Sequence, residues 1–295
     1  MNIIKKICEL LNLKISQDKI ISEIEKIKFQ NGLSLLENFQ GKKSSKIIDY
    51  EFQVFSQWGE DGIISYLVNN VDIENNFFIE FGVENYLESN TRFLLKKFNW
   101  SGLIIDSSQK NIDYIKKDKI YWQHDINALC EFISRENINK IFLENVSQKN
   151  IGLLSIDIDG NDYWVWKAIT TIDPSIVVIE YNSILGSSKN YTVPYSKNFE
   201  RNKAHYSNLY YGASLPALVK LGKEKGYALV TCNSAGNNAF FVKKNLLNDK
   251  VKELSIKEAF QERKFRESRD KNNKLTFLNS AEEKDLISHL PLEEV

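Results

Sequence analysis

Two apolar runs in this chain each break off at a carboxylate, and a glycine follows the first. Phe77, Phe78 and Ile79 lead into Glu80 and Gly82, and a polar loop with Glu84, Asn90 and Thr91 comes next. The second run, Leu103 to Ile105, stops at Asp106. An acid roughly 20 residues beyond a glycine turn is suited to the hydroxyls of a ribose. Only one glycine of a G-x-G-x-x-G is present, so the backbone cradle of a pyrophosphate is missing. A nucleoside ligand without phosphates fits better, and S-adenosylmethionine is the commonest of that kind. Glu80 and Gly82 would lie beneath it, Gly82 allowing close backbone approach. Glu84 and Asn90 would meet its ammonium and carboxylate, Asn90 standing near a helix start where anions are favoured. Asp125, placed just behind a third strand, would accept from an adenine amino group.

A second cluster closes two further apolar runs. Asp157-Ile-Asp159 follows one and Glu180-Tyr-Asn182 the other. On adjacent strands their oxygens converge, and hard oxygen ligands at one strand spacing suit Mg²⁺. Asp157, Glu180 and Asn182 are its candidate ligands, and Asp157 is also a candidate to bind S-adenosylmethionine. Either Asp159 or His205 would take the proton from an acceptor hydroxyl. His205 is one of only 3 histidines and sits in an irregular stretch beside Tyr206, Ser207 and Asn208. The polar loop 233–238 and the tyrosines 181, 191, 195, 206, 210 and 211 are candidates to line a carbohydrate pocket.

These residues need a sheet to hold them. The pattern predicts parallel strands over 77–82, 102–106, 119–124, 153–157 and 176–181. Helices are expected over 56–69, 90–98, 109–117, 127–136 and 161–171. An insertion, 183–208, interrupts the alternation. A helix over 212–225 follows, capped by Gly226, and a hairpin of strands 227–231 and 239–242 ends the sheet. Residues 1–48 form a leader: Ile3, Ile4, Ile7, Leu10 and Leu11, then Ile20, Ile21, Ile24 and Ile27, recur at helical spacing on either side of Ser16-Gln-Asp18. Two amphipathic helices are expected there, their stripes buried on the core or in a homodimer. Residues 246–295 are charged and expected to be mostly helical. The fold expected over 49–245 is α/β: a doubly wound, Rossmann-like seven-stranded sheet of the class I methyltransferase kind, with a terminal β-hairpin.

The run Glu80-Phe-Gly82, Glu88-Ser-Asn-Thr91 and Asn99-Trp-Ser-Gly102-Leu-Ile-Ile-Asp106 resembles the opening of FkbM-type S-adenosylmethionine-dependent methyltransferases. Further matches are Phe55-Ser-Gln-Trp-Gly-Glu-Asp-Gly-Ile63, Leu154-Ser-Ile-Asp-Ile-Asp-Gly-Asn-Asp-Tyr163 and Ala204-His-Tyr-Ser-Asn-Leu-Tyr-Tyr-Gly-Ala-Ser214, so the resemblance spans about 50–280. It implies methyl transfer, to oxygen first of all, on a sugar or sugar-linked group of capsule or lipopolysaccharide biosynthesis. It also implies that Gln57 and Glu60 help close the methionine end of the cofactor site. Metal-dependent sugar O-methyltransferases carry a similar Asp-x-Asp after the fourth strand. They have an acidic pair after the fifth, where this chain has Glu180 and Asn182.

Composition narrows the alternatives. The 295 residues are 42% hydrophobic with a formal net charge of +0, which argues against a broad nucleic-acid footprint. Three cysteines without a C-x-x-C speak for a reducing, cytoplasmic setting. No apolar run approaches the roughly 20 residues of a membrane span. A small-molecule or carbohydrate acceptor is the expected partner. Two other readings stay open: a metal-dependent glycosyltransferase using Asp157-x-Asp159, and a non-catalytic binding module on a methyltransferase-like fold.

Overall fold

The computed structural model describes residues 2–295, with side chains described from residue 19 onward apart from position 40. The chain divides into two compact units, 1–43 and 44–295.

In the first unit one helix, α1 (Asn2–Glu37), replaces the expected pair. Ser, Gln and Asp cost a helix interior only a few tenths of a kcal/mol each, against about 3 for proline, so 16–18 does not break it. The stripe Ile3, Ile4, Ile7, Leu10 and Leu11 lies outside the described side chains. Ile20, Ile21, Ile24 and Ile27 are each more than half exposed.

The second unit is built on strands β1 (Phe77–Phe81), β2 (Ser101–Asp106), β3 (Ile126–Cys130), β4 (Asn150–Ile156), β5 (Asp173–Glu180), β7 (Tyr227–Cys232) and β8 (Asn238–Lys243), with a short β6 (Tyr191–Thr192) outside the sheet. Their order is β3-β2-β1-β4-β5-β8-β7, with β8 antiparallel to both its neighbours. Helices α2 (Glu60–Asn70), α3 (Arg92–Phe98), α4 (Gln109–Lys117), α5 (Lys119–Gln123), α6 (Ile138–Asn145), α7 (Asp162–Ala168) and α9 (Leu215–Glu224) pack around it, while α8 (Arg201–Ala204) lies in the insertion. β4 and β5 are buried almost end to end, as expected of parallel strands covered on both faces. Five parallel strands closed by a β-hairpin make this the α/β, class I methyltransferase-like fold. The strand order reverses between β1 and β4, which opens a crevice at their carboxyl ends. Register brings Glu80 opposite Ser155, and Glu180 opposite Asn238, along that edge.

Two expectations fail. Residues 119–124 are not the third strand: Asp118 accepts from the Ile120 amide and caps α5, and the strand runs over 126–130 where a helix was expected. Residues 246–295 are not mostly helical. Beyond a 3₁₀ turn at Lys244–Leu246, helix there is confined to α10 (Ile256–Ala259) and α11 (Ser280–Ile287). The rest is strapped to the core by single bonds: the Tyr181 hydroxyl donates to Gln261 O, the Lys264 amide to Ala235 O and the Arg263 amide to Ser183 Oγ. The tail ends in β9 (Glu293–Glu294), which pairs with β6. Ile287 of α11 joins Ile184 and Val193 of the insertion, and Leu209 and Tyr210 just after it, in a small separate core.

Expressed alone, residues 44–295 are expected to melt cooperatively at the temperature of the full chain. Loss of the four exposed isoleucines is expected to reduce any self-association seen by light scattering. A truncated chain that fails to fold would show the division into units to be wrong.

Candidate active site

A cleft of about 510 Å³ lies over the carboxyl ends of β1, β2, β3, β4 and β5. Its floor begins at Gly82, where φ is +68°. A Cβ there would come within 1.8 Å of the Asp157 carbonyl oxygen, so both backbone conformation and space demand glycine. Glu80 is buried beneath and accepts from Ser89 Oγ, Thr91 Oγ1 and the amides of Asn90 and Thr91. Its carboxylate holds the loop in place. Burial pushes its pKa up, and the Thr91 and Ser89 hydroxyls pull back against that shift. Asn90 lines the cleft and donates from Nδ2 to Ser155 Oγ, tying this loop to β4.

Asp106 also lines the cleft. Its Oδ2 accepts from the Glu84 amide, and its Oδ1 from the Ser108 amide and Asn111 Nδ2. A carboxylate offers about four acceptor positions, so room remains for one incoming hydroxyl and not for two. Glu84 and Gln57 face the cleft as expected. Glu60 does not: it is fully buried, accepts from the Trp58 and Gly59 amides, and bridges to Asn233 and Asn238. Its work is to fix the loop that carries Gln57 and Trp58. Asp125 is corrected outright. It precedes β3, at the amino edge of the sheet, and is absent from the cleft lining. The residues that follow β3 and do line the cleft are Glu131, Phe132 and Ile133, with the Phe132 ring 46% exposed.

Across the switch point, oxygens of Asp157, Asp159 and Glu180 lie within 4.8 Å of one another. The turn holding them is closed by Asp162, which accepts from the amides of Ile158 and Gly160. Asp159 sits in left-handed backbone at φ +55°. Asp157 and Glu180 hold their protons well above the carboxylate range. Burial is the main cause; the charges of Asp159 and Asp162 add to it at Asp157, and those of Asp157 and Asp159 add to it at Glu180. Glu180 Oε2 has no hydrogen-bond partner.

The counter-charge is Arg201, which residue pattern did not reveal. Its guanidinium donates to Asp159 Oδ1 at 2.8 Å, pairs with Glu267 of the tail, and lies 3.7 Å above the Tyr211 ring. His205, four residues on, does not line the cleft. Its Nδ1 pairs with Ser207 Oγ, its ring packs near Tyr206 and His289, and burial lowers its pKa. Asn182 is also withdrawn: its Nδ2 donates to the carbonyls of Leu209 and Tyr211, and its Oδ1 caps Ile184. The expected tyrosines are absent from the lining. Trp58, Phe132, Phe199 and Phe265 supply its exposed aromatic faces, and Trp58 stacks on Phe265 with centroids 5.2 Å apart.

No protein-family model matches the sequence, and no curated protein matches it. Among solved structures the chain is similar to the N-terminal domain of EvdMO1 with S-adenosylhomocysteine bound, at 9% identity and a TM-score of 0.42, over 64% of this chain and 80% of that one. It is similar to an O-methyltransferase from Bacillus cereus in complex with S-adenosylhomocysteine, at 11% identity and 0.40, over 73% and 90%. A third is an S-adenosylmethionine-dependent methyltransferase from Clostridium acetobutylicum, at 10% identity and 0.38, over 62% and 90%. At these scores the fold assignment rests on the strand order itself.

Asp157 and Glu180 bind protons more tightly folded than unfolded, so their ionisation opposes folding. Their contribution to stability is complete below the ordinary values of 3.8 and 4.5 and is lost as pH rises through the raised ones. Glu180→Gln is therefore expected to melt higher than the parent chain at about pH 8, and the gap to close toward about pH 4. Calorimetric melting across that range checks it; a variant less stable at every pH would contradict it.

Proposed function

We propose that the chain transfers the methyl group of S-adenosylmethionine to a polar, sugar-sized acceptor. The observation that carries this reading is the course of the cleft, continuous from Asp106 on β2, over Gly82, to Glu180 at the end of β5. One nucleoside and one acceptor fit there end to end, within the usual size of ligand sites. S-adenosylmethionine supplies an activated methyl on a sulfonium. The chain supplies alignment and a place for the departing proton. Asp106 accepts one ribose hydroxyl, Phe132 offers a face to the adenine, and Gln57, Glu84 and Asn90 surround the methionine end. The stacked Trp58 and Phe265 shield the acceptor end from water. The FkbM-type resemblance favours a sugar or sugar-linked group of capsule or lipopolysaccharide biosynthesis as acceptor.

Mg²⁺ fits this site poorly. Of its expected ligands Asp157, Glu180 and Asn182, the last is spent on backbone, and the neighbouring Asp159, expected as base, already holds a guanidinium. That leaves a divalent ion two carboxylates beside a fixed positive charge. The glycosyltransferase reading weakens with it. A nucleotide-sugar donor brings a diphosphate, and Arg201, the one cationic side chain on the cleft lining among the described residues, is engaged by two acids.

S-adenosylhomocysteine and S-adenosylmethionine are expected to raise the melting temperature by mass action, and NAD and UDP-sugars to leave it unchanged. Asp106→Asn keeps the side-chain shape and is expected to weaken S-adenosylhomocysteine by about 1.5–3 kcal/mol, read by calorimetry. A chelator is expected to change neither binding nor turnover. Stabilisation by a UDP-sugar in place of S-adenosylhomocysteine would overturn the proposal.

A further inference from the structure

The acceptor half of the cleft is rich in groups that accept hydrogen bonds and poor in groups that donate them. Asp157, Asp159 and Glu180 converge there. Two buried side chains on the lining leave an acceptor oxygen without a partner: Glu180, 6% exposed, at Oε2, and Asn161, 3% exposed, at Oδ1. Arg201 makes no hydrogen bond to either: of its five N–H donors Nη1 gives one to Asp159, Nη2 one to Glu267 and Nε one to the Asn208 carbonyl. Among the described residues, nine carboxyl groups and this one guanidinium stand around the cleft, with no lysine and no histidine. Buried acceptors without donors are costly, and the group that belongs there is a compact cluster of donors bearing positive charge.

We propose that the acceptor is a phosphate-free amino sugar whose protonated amine docks on Asp157, Asp159 and Glu180, and that this nitrogen receives the methyl group. The inference rests on the methyl-transfer reading and names its substrate class. A primary ammonium puts three N–H donors and a charge on one atom, which a hydroxyl does not. Proton transfer favours nitrogen as well. An aliphatic ammonium loses its proton near pH 8–10, whereas an alcohol hydroxyl holds its proton far more tightly, so a carboxylate is a far better matched base for the ammonium. With no histidine or lysine on the lining among the described residues, a carboxylate base matches the amine and not the alcohol. In the step, the docked ammonium charge favours the ionised form of Glu180, and that carboxylate takes one proton from the ammonium. The freed nitrogen pair forms the N–C bond while the C–S bond breaks and its electrons stay on sulfur. S-adenosylhomocysteine leaves uncharged, and the positive charge stays on the methylated nitrogen. The ring's C–H faces meet Trp58 and Phe199, and no phosphate has to enter the acidic cleft.

The test titrates the full chain, saturated with S-adenosylhomocysteine, with D-glucosamine, D-galactosamine, their N-acetyl derivatives, glucosamine 6-phosphate and Mg²⁺ alone. The free amines are expected to bind about tenfold or more tighter than the N-acetyl and phosphorylated forms. With S-adenosylmethionine they are expected to gain a methyl on nitrogen, identified by mass spectrometry of the product. Glu180→Gln and Asp157→Asn are each expected to erase the preference while S-adenosylhomocysteine still binds, which also reports that the variants fold. Equal binding of amine and N-acetyl forms, no amine binding, methyl on oxygen, or Mg²⁺ binding that Glu180→Gln abolishes would overturn the inference and leave methyl transfer standing. Failure of S-adenosylhomocysteine to bind the parent chain would bring down both.

Discussion

The buried carboxylate of Glu80 is the constraint from which the cleft follows. It is the last polar group of β1 before the chain turns, and it stands between β2 and β4 at the point where strand order reverses. Leaving a carboxylate there without partners would cost several kcal/mol. The chain answers by curling residues 82–91 back over it until two hydroxyls and two amides point inward. Each bond to a charged acceptor contributes about 1.5–3 kcal/mol, enough to offset burial and the left-handed backbone at Gly82, Glu84 and Tyr86. The rest is consequence. The Glu84 amide lands on Asp106 and so joins the loop to β2, while Asn90 reaches Ser155 and joins it to β4.

The opposite half of the cleft is held by a different balance. Three carboxylates share a few ångströms at the ends of β4 and β5, where their repulsion would unsettle a free loop. Asp162 fixes the backbone of that loop, and Arg201 supplies the charge. The insertion and the tail make sense in these terms. Arg201 comes from a four-residue helix that would not stand alone. Its guanidinium is pinned by Tyr211 below, Asp159 on one side and the tail's Glu267 on the other. Arg263, under Phe265, carries the same network to Glu283 of α11. The tail is thus a strap that completes the site from outside the sheet.

How much of this was legible depended on whether a residue's role was local. β1, β2, β4, β5 and the hairpin are runs of Val, Ile, Leu and Phe with acids or glycines at their ends, and periodicity finds such strands. β3 is a weaker pattern, and Ile120, Tyr121 and Trp122 offered a more strand-like stretch nearby. One cap at Asp118 made that stretch a helix and displaced the strand by seven residues. The displacement turned Asp125 from a ligand into an amino-edge acid and hid Glu131 and Phe132. The Asp118 cap, followed by the alternation of Ile126 and Ala128 with exposed Asn127, was the signal available. Asn182 misled differently: an amide suited to a metal is equally suited to capping a turn, and only the positions of Leu209 and Tyr211 decide. Arg201 gave no signal, since nothing in sequence says which cation of an irregular insertion faces inward.

The charge of the cleft bears on chemistry more directly than any single ligand does. Nine carboxylates around one cavity set a field that draws in a cation and repels an anion, most strongly away from bulk water. The sulfonium of S-adenosylmethionine is such a cation, and its neutral thioether product is not. In the proposed methyl transfer that field would therefore hold the reactant more tightly than the product. An acceptor entering as a cation would find the same attraction from the other end, and its proton a nearby carboxylate whose affinity for protons is already raised. Two cations brought together would repel one another in water. In the proposed reaction the wall would neutralise that repulsion in advance, and the repulsion would fall further once the ammonium gave its proton to the wall. A negatively charged wall is thus a way to let two positively charged reactants meet.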